Sequence, residues 1–240
     1  MTSSCWARRS CRRTWADAIA SIWAQETSTF ETLRLSEFAS IMKETRFHPN
    51  IIITGTPGCG KTSHAEALVS HLKTPYKHYN ISNLAKERKC FESYDEEFDS
   101  HVVDEDKLLD SLEPDLREGG AVVDWHCCDI FPERLIDLVV VLKTDSDCLH
   151  ERLSKRGYKD NKIQENLDCE IMEVVWQDAA GAYIPEIVIP LLSNSVEDME
   201  ENVDRISAWI DNWIKDHAEG VTNELDPSLV SGSDSDDESM

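Results

Sequence analysis

Ile51-Ile52-Ile53-Thr54-Gly55-Thr56-Pro57-Gly58-Cys59-Gly60-Lys61-Thr62-Ser63 contains, from Gly55 to Thr62, the pattern G-x-x-x-x-G-K-[ST]. The pattern follows a β-branched apolar run and precedes a helix-compatible segment, 64–72, which is the setting a phosphate-binding loop requires. The glycines let backbone N–H groups converge on phosphate oxygens, and the helix behind them presents its positive end. Lys61 neutralises the β- and γ-phosphates, and the Thr62 hydroxyl is placed to hold Mg²⁺. A chance glycine-rich turn would not bring strand, loop, Lys-Thr pair and helix into register together.

Downstream, short apolar runs alternate with longer helical patterns. Segments 51–54, 76–81, 121–124, 138–142 and 187–190 read as strands. Such runs separated by helices imply βαβ units, hence an α/β fold with a five-stranded parallel sheet and helices on both faces. Ser82 and Asp104 fit as helix N-caps, and Gly119 and Gly157 as C-terminal glycines. Pro114 is expected to kink the helix over 104–118 or to open a new turn. Ile163, Leu167, Ile171 and Val174 or Val175 form one core-facing stripe. Met199, Val203, Ile206, Ile210 and Trp213 or Ile214 form another, on a closing helix that ends near His217.

At 240 residues the chain has room for one sizeable core with extensions. A formal net charge of −23 excludes a general basic surface for nucleic acid, so no direct sequence-specific nucleic-acid binding is expected and basic protein partners suit the chain better. The eight cysteines form no C-x-x-C pair and one lies inside the loop, which reads as reduced thiols of an intracellular protein. No apolar run approaches about 18 residues, so no membrane span is expected. Residues 1–48 stand apart as an extension. Arg8, Arg9, Arg12 and Arg13 precede any acid, and Trp15, Ala18, Ile19, Ile22 and Trp23 follow. This start reads as a poorly ordered arm, as an upstream sequence not translated in the cell, or as a targeting segment, which Asp17, Glu26 and Glu31 argue against. Residues 218–240 are acidic and lack Lys and Arg, the composition of a disordered tail.

Three clusters surround the loop. The run Ala121-Val122-Val123 delivers Asp124 at a strand end, followed by Trp125 and His126. An acid there is placed to anchor Mg²⁺, directly or through water, or to orient a nucleophile, with His126 handling protons; the plainer reading is a turn cap. Arg152 and Arg156 stand four apart on one helical face, so both reach the same anion or both simply complement a helix C-terminus. Asn83-Leu84-Ala85-Lys86-Glu87-Arg88, followed by Tyr94-Asp95-Glu96-Glu97-Phe98-Asp99, occupies the place where a phosphate-loop kinase inserts its acceptor-binding arm.

Taken in order, the chain resembles the adenylate kinase isoenzyme 6 family over about residues 50–217. The resemblance rests on the phosphate loop, Asn80-Ile81-Ser82-Asn83-Leu84-Ala85, the Tyr94–Asp99 stretch, Val103-Asp104-Glu105-Asp106 and Arg117-Glu118-Gly119-Gly120. It continues through Asp124-x-His126, Cys128-Asp129-Ile130-Phe131-Pro132-Glu133-Arg134, Glu151-Arg152-Leu153-Ser154-Lys155-Arg156-Gly157-Tyr158 and Trp209-Ile210-x-x-Trp213-Ile214-Lys215-Asp216-His217. The resemblance implies a P-loop NTPase fold of the nucleoside monophosphate kinase kind, with a domain over 49–217, an acceptor segment over about 80–103 and a short lid over about 155–165. Gly58, Gly60, Lys61, Thr62 and Ser63 would bind ATP phosphates, Arg156 would be the lid arginine, and Lys86 and Arg152 would be further phosphate contacts. Thr62 and Asp124 would hold Mg²⁺, and Asp124 and His126 would be the Asp-x-His pair associated with ATP hydrolysis. It further implies ATP and AMP, or a related nucleoside monophosphate, as substrates, the small-subunit ribosomal protein uS11 and pre-40S particles as partners, a role in 18S rRNA maturation, and residence in nucleus and cytoplasm. Two positions depart from the family pattern: Lys86 stands where arginine is usual, and Cys127 where glycine is usual. An adenylate kinase with ATPase activity and an assembly ATPase that handles a ribosomal protein with only residual kinase activity remain open at this level, as does a kinase for a non-nucleotide acceptor.

Overall fold

The computed structural model describes residues 45–73, 76–95 and 100–223. The expectations for residues 1–44 and 224–240, and for Glu96, Glu97, Phe98 and Asp99, lie outside them. In chain order the strands are β1 (Thr45–Arg46), β2 (Ile51–Thr54), β3 (Lys77–Asn80), β4 (Phe91–Asp95), β5 (Ser100–Val103), β6 (Ala121–Asp124), β7 (Leu138–Lys143), β8 (Val188–Leu192) and β9 (Val221–Thr222). The helices are α1 (Lys61–His71), α2 (Ile81–Glu87), α3 (Glu105–Glu118), α4 (Ser146–Lys155), α5 (Asp160–Ile171), α6 (Val174–Ala182) and α7 (Val196–Asp216).

Three consecutive isoleucines suit a strand buried on both sides, and Ile51, Ile52 and Ile53 are wholly buried in β2 at the centre of the sheet. The sheet order is β3-β6-β2-β7-β8, with every pairing parallel. Alternate residues of β2 enter opposite layers. Ile51 and Ile53 pack with Leu68 of α1, Leu149 and Leu153 of α4, and Val203, Ile206 and Ile210 of α7. Ile52 packs on the other side with Ile81 of α2, Leu108, Leu112 and Leu116 of α3, and Ala179 of α6. Each such large side chain contributes about 1.5–3 kcal/mol by leaving water. The five-stranded parallel α/β architecture expected from the sequence is therefore the one observed.

Several local expectations change. α2 is capped by Asn80, whose Oδ1 accepts from the Asn83 N–H at 3.0 Å, so Ser82 lies inside the helix instead of at its cap. The chain passes from β3 into α2 without a loop, leaving the last strand residue to cap. α3 runs unbroken through Pro114, because that proline is on the exposed face, where water can serve the carbonyl it leaves unpaired. The stripe from Ile163 to Val175 is divided by Glu173, whose φ of +55° separates α5 from α6. Ile163 and Leu167 pack in the α1/α7 layer and Val175 in the α3/α6 layer, while Ile171 is 64% exposed at the crossing.

The ordered unit also extends past both expected limits, 49 and 217. β1 pairs antiparallel with β9. Arg46, 2% exposed, donates to the carboxylate of Asp137, to the Arg134 carbonyl at 3.1 Å and to Asn223 Oδ1 at 3.0 Å. A buried guanidinium needs such partners; Asp137 and Arg134 lie within the expected domain, while Arg46 itself and Asn223 lie beyond its two limits. Among the described residues, Cys59, Cys90, Cys127, Cys128, Cys148 and Cys169 are free thiols, and no helix is long and apolar enough to cross a membrane.

Candidate active site

Strand register assembles the site. β3, β6 and β2 run in parallel with Asn80 opposite Asp124 and Asp124 opposite Ile53, so three strands end abreast beside the phosphate loop, as ligand sites in open α/β sheets do. The loop turns into α1 through Gly60 at φ +88°. At Gly58, φ +103°, a Cβ would stand 2.7 Å from Leu149 Cδ1, so α4 packs against the bare backbone. Lys61 lies across the loop, its Nζ donating to the carbonyls of Gly55 at 2.8 Å and Thr56 at 3.2 Å. Burial draws its pKa below the ordinary lysine value, against the opposing charge of Asp124.

Asp124 is the meeting point. Its Oδ2 accepts from Thr62 Oγ1 at 2.5 Å and from Asn80 Nδ2 at 2.7 Å, and His78 Nε2 stands 3.6 Å away. Burial pushes the carboxyl pKa up, but the contacts of His78 and Thr62, the charge of Lys61 and the Asn80 amide outweigh it and hold the pKa below the ordinary aspartate value. A hydroxyl and a carboxylate converging beside a phosphate loop are the hard oxygen donors that Mg²⁺ takes, with phosphate oxygens and water completing its shell. Among the described residues, no group of three or more His, Cys, Asp and Glu forms a self-contained metal site. The Thr62 hydroxyl and the Asp124 carboxylate are donors that fit Mg²⁺ carried on a nucleotide.

The loop opens into a cleft of about 590 Å³ lined on one side by Gly58, Gly60, Lys61, Thr62 and Ser63, and on the other by Ser82, Ala85, Lys86, Phe91 and Val103. Asp124 and His126 form its floor, and Arg156, Tyr158 and Lys162 come from the end of α4 and the start of α5. His126 has its pKa held below the usual histidine value by surrounding atoms and then by the Lys61 charge, so a neutral ring faces the cleft near pH 7. The Arg156 guanidinium pairs with no carboxylate among the described residues. It follows the last turn of α4, where Gly157 at φ +73° closes the helix with Gly157 N–H to Ser154 O and Tyr158 N–H to Leu153 O.

Arg152 does not join Arg156. Its guanidinium donates to the carbonyls of Ser193 at 2.8 Å, Asn194 at 2.9 Å and Gly58 at 3.4 Å, and it does not line the cleft. The last turn of α4 points one arginine at the loop's rear and frees the other four residues on. Arg88 is likewise engaged elsewhere, with the Ser111 carbonyl and Asp115, which leaves exposed Lys86 as the α2 cation facing the cleft.

Residues 51–173 match the family described as an AAA domain. A Candida albicans protein named adenylate kinase isoenzyme 6 homolog HBR1 is 63% identical over 188 residues, covering 75% of this chain and 76% of its own length. The Saccharomyces cerevisiae homolog FAP7 is 60% identical, covering 76% and 92%, and a Schizosaccharomyces pombe homolog is 48% identical, covering 72% and 98%. The chain belongs to the adenylate kinase isoenzyme 6 family. It is a nucleotide kinase-like P-loop protein. Of the two positions that depart from the isoenzyme 6 pattern, Lys86 keeps a positive charge at the cleft, and Cys127 does not take the positive φ that would demand glycine.

The sequence marks Asn80 and Lys162 only as members of the expected acceptor segment and lid, with no role of their own, and does not mark His78 or Glu170. Asn80 had a usable signal, since it ends a strand as Asp124 does. Glu170 had none: it acts from a helix 114 positions beyond its partner Thr56.

Proposed function

We propose that the protein transfers the γ-phosphoryl group of ATP to AMP or a closely related nucleoside monophosphate in the presence of Mg²⁺, and hydrolyses ATP when no acceptor is bound. The observation that carries this reading is the two-sided cleft, with the phosphate loop on one wall and the short α2 helix with Lys86 on the other. A pure ATPase needs only the first wall.

In this reading the loop's N–H groups seat the ATP phosphates. Lys61 has only to leave two carbonyls of its own loop to meet them. Thr62 and Asp124 would hold Mg²⁺, which when bound neutralises phosphate charge. Arg156 offsets the charge that builds on the moving phosphoryl group. Lys86 orients the acceptor phosphate, and neutral His126 takes a proton from an attacking water when the acceptor is absent.

The family relationship, with the net charge of −23, also supports a basic partner, the ribosomal protein uS11, and work on pre-40S particles and 18S rRNA maturation in nucleus and cytoplasm. The test measures ADP from ATP alone and with AMP, with and without Mg²⁺ and purified uS11. AMP should multiply ADP formation in a Mg²⁺-dependent way, and Lys61→Ala should abolish both reactions; retention of more than about a tenth of turnover would refute the assignment. ADP formation that ignores AMP and responds only to uS11 would favour the assembly ATPase instead.

A further inference from the structure

Glu170 takes no part in the chemistry above, yet it is the carboxylate bound to the phosphate loop from behind. Its Oε2 accepts from the hydroxyl of Thr56 and from Cys59 Sγ at 3.7 Å, while its Oε1 accepts from the Thr144 N–H at 2.8 Å. Thr56 then passes the constraint on: its carbonyl accepts from Cys59 N–H at 3.1 Å and from Lys61 Nζ at 3.2 Å. The Cys59 carbonyl accepts from Ser193 Oγ at 2.7 Å, and the Ser193 carbonyl accepts from Thr144 Oγ1 at 3.2 Å. Glu170, Thr56, Cys59, Ser193 and Thr144 thus close a ring around the back of the loop, and Glu170 is its one charged member.

The helix that supplies Glu170 begins within the expected lid. α5 starts at Asp160, directly after Arg156 and Tyr158, and its Lys162 lines the cleft. Eight residues at 1.5 Å each set Glu170 about 12 Å further along the same rod. One end of α5 therefore borders the nucleotide cleft and the other grips the loop.

We propose that Glu170 is a positioning residue that holds the phosphate loop in its binding shape from α5. With Glu170 in place the donors of Thr56 and Thr144 are satisfied and the Lys61 cradle is preformed. Without it these groups lose their acceptor, the loop populates other shapes, and apparent nucleotide affinity falls by the fraction still competent. Cys59 offers a direct readout, because it is fully buried and reacts only when the loop opens. Burial and then the Glu170 charge push its thiol pKa up to about 11.

The inference rests on the reading that this loop binds ATP, and the test separates the two. Full-length wild type, Glu170→Ala and Glu170→Gln are alkylated with N-ethylmaleimide without nucleotide, followed by peptide-resolved mass spectrometry. Cys90 and Cys128, buried in the opposite layer, serve as internal references. ATP binding and kcat are measured on the same samples. Glu170→Ala should speed Cys59 alkylation about tenfold relative to Cys90 and Cys128 and weaken ATP binding about tenfold, with a smaller change in kcat at saturation. Glu170→Gln removes the charge that raises the Cys59 pKa but keeps an acceptor for Thr144 and a donor to Thr56 Oγ1, so it should hold ATP binding near wild type and speed Cys59 alkylation far less than Glu170→Ala does; an equal rise in both variants overturns the proposal. Unchanged Cys59 alkylation in Glu170→Ala, or a rise shared equally by all three thiols, overturns the proposal. Absence of ATP binding in wild type would overturn the phosphoryl-transfer reading, while the nucleotide-free alkylation still decides the role of Glu170.

Discussion

The hydroxyl of Thr62 donates to Oδ2 of Asp124 across 2.5 Å, joining the first turn of α1 to the carboxyl end of β6. Asp124→Ala should therefore lower Mg²⁺-dependent turnover by about 100-fold or more, while ATP binding measured by calorimetry without Mg²⁺ changes little. Because the folded-state pKa of Asp124 lies below its ordinary value of 3.8, its contribution to stability is fully present above that value and is lost as pH falls through the folded pKa. Stability compared between wild type and variant at pH 7 and pH 5 should differ by the same amount.

Asn80 serves two elements with one amide, capping α2 through Oδ1 and reaching Asp124 through Nδ2. Asn80→Ala should lose about 1 kcal/mol of stability with the cap, together with activity. Asn80→Asp keeps a good cap but sets a second carboxylate against Asp124, so stability at pH 7 and turnover should both fall through like-charge repulsion. Urea denaturation of Asn80→Asp that matches wild type at pH 7 would show that Nδ2 has no role in the site.

Lys86 presents a point charge where a guanidinium would offer a planar fork. Lys86→Arg should lower KM for AMP about tenfold, the value of one well-directed charge-assisted bond of about 1.5 kcal/mol, and leave AMP-free ATP hydrolysis unchanged. AMP saturation curves for both proteins decide it. Arg88 cannot substitute, since Ser111 and Asp115 already hold it.

The two arginines of α4 should separate by phenotype. Arg156→Ala is expected to reduce kcat about 10³-fold without shifting the unfolding midpoint. Arg152→Ala should lose about 2 kcal/mol of stability, because the carbonyls of Ser193 and Asn194 lose a charged donor. Matched thermal unfolding and single-turnover assays would expose an exchange of roles.

Truncation should distinguish residue 45 from residue 49 as a starting point. A chain beginning at 49 lacks Arg46 and leaves Asp137 buried without its cation. Breaking such a pair costs about 3–5 kcal/mol, so that chain should unfold at markedly lower denaturant than one beginning at 45. Equal midpoints would show that the β1–β9 pairing carries no stability.

The sequence alone determined the phosphate loop, the five strands and the layered α/β arrangement, because each is a local pattern. Gly58, Gly60, Lys61 and Thr62 are contiguous, and apolar runs such as 121–124 declare burial by composition alone. The closing helix was equally legible, since Val203, Ile206 and Ile210 repeat along one face and are buried there. Arg152 and Arg156 show where local reading ends: spacing put them on one face, but only packing decided that the carbonyls of Gly58, Ser193 and Asn194 would claim the first. The same holds for Asn80, for Glu170 and for the Arg46–Asp137 pair that widened the folded unit. Their partners lie 44, 114 and 91 positions away, and hydrogen bonds of a few ångströms depend on how strands register and helices pack, which no local pattern encodes.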